Sequence, residues 1–222
     1  MNLLVLAHPR SGHHAFIDWF CSHQSEPYIH VNDPAIDLPT LTPTGGGHRY
    51  NGMERTINTL PVQISEPNLV VNFERPDCRE EFLDMPQIIF IRDFKNFLSS
   101  VVRLSIDLND PELPELSVPA WDWCADKALD GSPFILFDGW VSDENYRNSI
   151  AKFLGIQTDG KPWQRVSPFG GTEERPGSSF DSLRFDGKAS LMSVTHRDES
   201  QSEIYQKYAT KERLEKNELI KQ

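Results

Sequence analysis

Apolar residues gather in short unbroken runs along this chain: Leu3–Ala7, Asn68–Phe73, Gln87–Ile91 and Phe134–Phe137. A run with no polar face predicts a strand covered on both sides, the signature of a parallel sheet between helices. Patterns of helical period separate most of these runs. One spans His13–His23, one spans Phe94–Ser105 with Phe97, Leu98, Val101 and Val102 on a single stripe, and one spans Asp143–Leu154 with Gly155 as its stop. The alternation predicts an α/β domain, with ligands beyond the carboxyl ends of the strands.

Two stretches break the rhythm. Residues 32–67 hold prolines at 34, 39, 43, 61 and 67 and the Gly45–Gly47 triplet, and residues 157–190 are similar. Both read as long loops, substrate lids or mobile surface excursions. From 198 to 222 the chain is charged, with Glu203/Lys207 and Glu212/Lys216 spaced four apart, which predicts a solvated terminal helix.

A length of 222 residues with 38% hydrophobic content fits one domain over 1–222. The net charge of −11 argues against nucleic acid or an anionic membrane as partner. An anionic ligand would instead need a local basic cluster, which directs attention to Arg10, Arg92 and Arg103. Cys21, Cys78 and Cys124 form no CxxC pair and read as reduced thiols. No apolar run reaches membrane-span length, and the first lacks a basic leader, so the expectation is a cytoplasmic protein.

Between the first strand and the first helix stands His8-Pro-Arg-Ser-Gly-His-His14. A tight loop feeding a helix aims main-chain N–H groups and the positive end of the helix dipole at one point, a natural seat for phosphate or sulfate. The triphosphatase pattern GxxxxGK[ST] is absent, since His13 and His14 follow Gly12 where lysine and a hydroxyl residue would stand. Asp138 ends a strand as the acidic residue of such enzymes does, although a cap is the commoner use. His8, His30, His48 and His196 are scattered and read as surface or loop residues.

The segment Ile88-Ile-Phe-Ile-Arg-Asp-Phe-Lys-Asn-Phe-Leu-Ser-Ser100 adds an arginine at a strand end and a serine eight residues on. Here the chain resembles the sulfotransferases that use 3′-phosphoadenylyl sulfate (PAPS). Pro9–His14 is similar to their 5′ loop, and Arg92, Asn96 and Ser100 to their 3′-phosphate motif, with Phe94 replacing the usual proline. Phe134–Asp143 and Ile150–Gly155 are similar to their strand, acidic loop and FLG helix.

The resemblance implies a three-layer α/β/α fold, P-loop NTPase-like, with no bound metal. PAPS would be held by Arg10, Ser11, Gly12, His13, His14, Arg92 and Ser100, with Arg197 a candidate for the basic loop, beside Arg184 and Lys188. Arg10 would also neutralise charge on the leaving oxygen. The general base stays open between Glu74, at the end of the second family strand, and His13 or His14. Trp121 and Trp123 read as packing or as the floor of an acceptor pocket. The acceptor would be a hydroxyl or amine of a small molecule or carbohydrate. The alternatives are a non-catalytic relative that binds an adenine nucleotide or a partner, and a P-loop kinase.

Overall fold

The computed structural model describes residues 1–52, 54–74, 80–82, 84–158 and 199–222. In chain order its elements are β1 (Leu3–Ala7), α1 (His13–Ser22), β2 (Tyr28–Asn32), β3 (Ala35–Asp37), β4 (Thr40–Thr42), β5 (Gly47–Asn51), β6 (Glu54–Ile57), β7 (Val62–Gln63), β8 (Leu69–Phe73) and β9 (Gln87–Ile91). There follow α2 (Phe94–Leu108), α3 (Leu113–Leu129), β10 (Phe134–Leu136), α4 (Phe137–Ser142), α5 (Glu144–Leu154), α6 (Glu203–Tyr208) and α7 (Lys211–Ile220). A single turn of 3-10 helix lies at Glu80–Phe82.

The main sheet runs β10-β9-β1-β8-β2-β5-β6. Its first five strands are parallel, and β5 and β6 extend one edge in antiparallel fashion. Along the central strands, alternate residues enter opposite layers. Leu3, Val5 and Ala7 pack with Phe16, Trp19 and Phe20 of α1 and Trp140 of α4, whereas Leu4 and Leu6 pack with Phe97 and Val101 of α2 and Trp121 of α3. Strands buried on both faces thus follow from their unbroken apolar sequence. The expected α/β sandwich with a mainly parallel centre is present.

Where β1 lies between β8 and β9, the chain has passed first to one side of β1 and then to the other. In such sheets a reversal of this kind marks the usual ligand position, beyond the carboxyl edge of the strands. Asp93 caps α2 by accepting from the Asn96 N–H, and Asp143 caps α5 by accepting from Asn145 and Tyr146. Gly155 ends α5 at φ 68°, in the left-handed region.

Two expectations are overturned here. Residues 32–67 are not an irregular loop: β5 and β6 widen the main sheet, and β3, β4 and β7 form a second small sheet. The prolines punctuate these strands, Pro34 before β3, Pro43 after β4 and Pro61 before β7, so they set strand ends without interrupting any ladder. The charged segment after residue 198 is not a solvated helix. It forms α6 and α7, with Tyr205, Asn217 and Ile220 buried. Two of its lysines cross to α3, Lys207 to Glu115 at 2.9 Å and Lys216 to Asp126 at 2.6 Å, while Lys211 and Lys221 pair within the segment with Glu215 and Glu218. Most of 157–190 lies outside the described residues.

Candidate functional site

Each element that meets the carboxyl edge beside β1 brings a polar residue there. After β1 the loop turns through Arg10 at φ 63° and Gly12 at φ 89°. A Cβ on Gly12 would stand 2.5 Å from Phe137, so this glycine serves both the turn and the close approach of α4. Helix α1 starts at His13 with neither a side-chain cap nor an acid in its first turn. The Ser11 N–H bonds the His8 carbonyl, and the His13 N–H bonds the Ser11 hydroxyl. Among the described residues nothing accepts from the Gly12 and His14 N–H groups, which remain as donors at the positive end of the helix.

On the β9 flank, Arg92 follows the strand and is 8% exposed. Its Nη1 donates to the Arg10 carbonyl at 3.3 Å, and its guanidinium lies 4.9 Å from the centre of the Phe137 ring. Its Nε is buried with no partner among the described residues. Burial pulls this guanidinium below the ordinary arginine pKa, with Asp138 opposing and Arg10 adding to the effect. Arg10 Nε in turn donates to the Ser100 hydroxyl at 3.3 Å. Arg10 therefore links Arg92 and Ser100 at this edge. An incompletely satisfied buried cation is costly unless an anion joins it.

The arginine is held from behind. Trp121 Nε1 donates to the Arg92 carbonyl at 2.9 Å, and His8 Nε2 accepts the Arg92 N–H at 3.2 Å. Trp121 is thus core and not the floor of an acceptor pocket; Trp123 is only partly buried and packs on the same cluster. Asp138 accepts from the Asp93 N–H at 2.9 Å and from Asn96 Nδ2 at 2.5 Å, bracing the start of α2 as a cap would. From α7, Asn217 accepts the Phe94 N–H at 2.7 Å and donates to Asp93 at 3.0 Å. Arg103 sits apart from this group, pairing with Asp107 and Glu199. Arg197, Arg184 and Lys188 lie outside the described residues.

On the β8 flank, Glu74 follows the strand, its N–H bonded to Asp33 Oδ1 at 2.9 Å. Glu74 Oε1 is 3.3 Å from His14 Nε2 and 3.4 Å from His13 Nε2. These two contacts differ in kind. Asn72 Nδ2 donates to His13 Nε2 at 3.0 Å and to Asn32 Oδ1 at 2.6 Å, while Asn72 Oδ1 accepts from His30 Nε2 at 2.6 Å. His13 Nε2 is then an acceptor, and Nδ1–H faces the Ser11 hydroxyl at 2.8 Å. Burial holds His13 well below the ordinary histidine pKa, with the neighbouring imidazoles adding to it. A neutral His13 forms no ion pair with Glu74, so the hydrogen-bonded partner of the carboxylate is His14.

Reading His30 and His48 as surface or loop residues is incorrect, since both are buried in strands; His8 does lie in the loop after β1, but buried and not at the surface. His30 and His48 stand on β2 and β5 facing α1, with ring centres 5.9 Å apart, and His30 is 5.9 Å from His14. Past His48, Arg55 reaches its Nε2 at 3.1 Å and pairs with Asp18 at 2.8 Å; Tyr50 donates to the same carboxylate. Sequence reasoning missed Asn72, Asn32, Asp33 and this row of imidazoles. The available signal was a polar residue inside an apolar run, Asn72 in Leu69–Phe73 and His30 between Ile29 and Val31.

Cys21 and Cys124 are free and buried, and burial pushes both thiols up. Among the described residues no helix is long and apolar enough to cross a membrane. No family model, curated protein or solved structure matches this chain.

Proposed function

We propose that the protein is a sulfotransferase of P-loop-like architecture, moving a sulfuryl group from PAPS to a hydroxyl or amine of a small molecule or carbohydrate. One observation supports this above the rest. Arg10, Arg92 and Ser100 meet on one flank of the loop before α1, while Glu74 and His14 meet on the other.

In this reading the Gly12 and His14 N–H groups receive the 5′-phosphosulfate, and Arg92 with Ser100 receives the 3′-phosphate through charge-assisted bonds. Glu74, oriented by His14, accepts the acceptor's proton as its oxygen or nitrogen bonds to sulfur. The sulfur–oxygen bond to the nucleotide breaks, and the electron pair leaves on adenosine 3′,5′-bisphosphate beside the Arg10 cation. Such a transfer asks for alignment and charge stabilisation more than for covalent help from the protein.

A second reading, a nucleotide-binding relative without turnover, is favoured by one feature: two of the four loop amides from Ser11 to His14 are already bonded within the protein. Radiolabelled PAPS, offered with a panel of sugars, phenols and amines, separates the two. Adenosine 3′,5′-bisphosphate should stabilise the protein without magnesium, and Arg92→Met should weaken it by about 10- to 100-fold while sparing 5′-AMP, the loss of one charge-assisted contact. Equal affinity of the native protein for both nucleotides refutes the assignment of Arg92. Tight bisphosphate binding without transfer to any acceptor leaves the second reading.

A further inference from the structure

The Glu74 carboxylate faces two imidazoles, and their spacing has a second meaning. Neighbouring residues in a helix point about 100° apart. At the start of α1, however, the His13 and His14 rings lie with centres 4.1 Å apart and planes inclined by 38°, and both turn Nε2 toward Glu74 Oε1. One donor atom from each of the three residues lies within 4.8 Å of the others. Zinc in tetrahedral coordination, with bonds of about 2.0–2.1 Å, sets neighbouring donors about 3.3–3.4 Å apart. The two N···O separations here are 3.3 and 3.4 Å.

The surroundings fit as well. A metal-bound imidazole is normally fixed through its other nitrogen, and His13 Nδ1 is fixed on the Ser11 hydroxyl at 2.8 Å. The Glu74 main chain is tied to Asp33 at 2.9 Å. His14 and Glu74 keep 23% and 27% of their side-chain surface exposed, which gives an ion a way in and a place for a water ligand. Two imidazoles and one carboxylate, with a coordination position left open, form a donor set suited to zinc and its first-row neighbours.

We infer that His13, His14 and Glu74 form a three-ligand site for a divalent transition metal, with Zn²⁺ as its natural probe. Loading has one local cost: Asn72 Nδ2 donates to the His13 lone pair that the metal needs, and that bond must open while the Asn72–Asn32 bond remains. This inference does not rest on the transferase reading. The metal would occupy the carboxylate oxygen that serves there as proton acceptor, so bound Zn²⁺ and transfer exclude each other.

The test uses the full chain, stripped with chelator and then titrated with Co²⁺ by visible absorption and with Zn²⁺ by calorimetry. We expect one equivalent of each per chain, a tetrahedral Co²⁺ band, and its displacement by Zn²⁺. Glu74→Gln and His14→Ala should each weaken binding by about 100-fold, and Ser11→Ala, which acts through His13, by about 10-fold. Thermal unfolding of the metal-free variants checks that each is folded, and the partly exposed His14 supplies a decisive variant if Ser11→Ala is not. Cys78→Ser should leave the titration unchanged. Binding that survives both Glu74→Gln and His14→Ala, binding lost in Cys78→Ser, or no saturable uptake overturns the site. Should PAPS transfer fail in every assay, the titration is unaffected.

Discussion

Acidification should unfold this protein earlier and more steeply than its acidic composition suggests. Four imidazoles are buried neutral: His8 and His30 are pushed down to about 3, His48 to about 4, and His13 well below the ordinary 6.5, with burial the leading cause in each. Nearby positive charge adds to the depression, from Arg92 at His8 and from Arg55 at His30 and His48. A folded pKa below the unfolded one means that the unfolded chain binds protons the folded chain refuses. The stability tied to these groups is therefore complete above 6.5 and is lost as the pH falls toward 3–4. At about pH 5 each unfolded imidazole gains roughly 2 kcal/mol from protonation, or about 8 kcal/mol for four, against a typical total stability of about 5–15 kcal/mol. Asp18 and Asp138, whose carboxyls burial pushes upward, oppose this by taking up protons in the folded state before the unfolded chain does. Urea titrations followed by tryptophan fluorescence between about pH 7.5 and 5 should show stability falling by up to about 5 kcal/mol per pH unit, an uptake of up to four protons. His30→Gln should reduce that uptake by about one. A flat profile down to about pH 5.5, or an uptake below two protons, would refute the account of the buried imidazoles.

Two substitutions probe the frame of the site. Gly12→Ala combines a backbone at φ 89° with a Cβ 2.5 Å from Phe137, a ring already against Arg92 and Trp140. Calorimetry should show a loss of about 3 kcal/mol, a fall in Tm of about 6–12 °C. A shift within about 2 °C would mean that Phe137 yields freely. Asn217→Leu leaves the buried Phe94 N–H without its acceptor and removes a donor from Asp93. Urea denaturation should give a loss of about 1–3 kcal/mol, and no change would show that water replaces the amide.

The parallel centre of the fold was legible where buried strands are apolar almost throughout, as in β1 and β9, whereas β2, equally buried but carrying His30 and Asn32, shows no such run. The bounds of β1 and β9 and the first residues of α1 and α2 follow from the runs and their breaks. In 32–67 the strands are two to five residues long, and their prolines sit at the ends, where punctuation is mistaken for disorder. In β5 only His48 and Tyr50 turn inward, between outward Arg49 and Asn51, an alternation too short to stand out. The segment after 198 was misread because Lys207 and Lys216 are satisfied by acids on α3, a pairing that no local spacing reveals. For the site, the spacing of Arg92 and Ser100 was readable within one strand–helix unit. Asn72 as the hub for His13, His30 and Asn32 was not, since it joins its own strand, β8, to β2 and α1, both remote in sequence.

The hold that Asn217 and Lys221 exert on Asp93 ties the first turn of α2 to residues more than 120 positions later. During synthesis the sheet can assemble while this anchor is still unmade. A chain interrupted before residue 217 would have every strand described above, yet leave the start of the helix behind Arg92 to the Asp93 cap and the brace from Asp138. The final tightening of the ligand edge should thus come late in the life of the nascent polypeptide, with the arrival of a helix that also closes the core over Ile220.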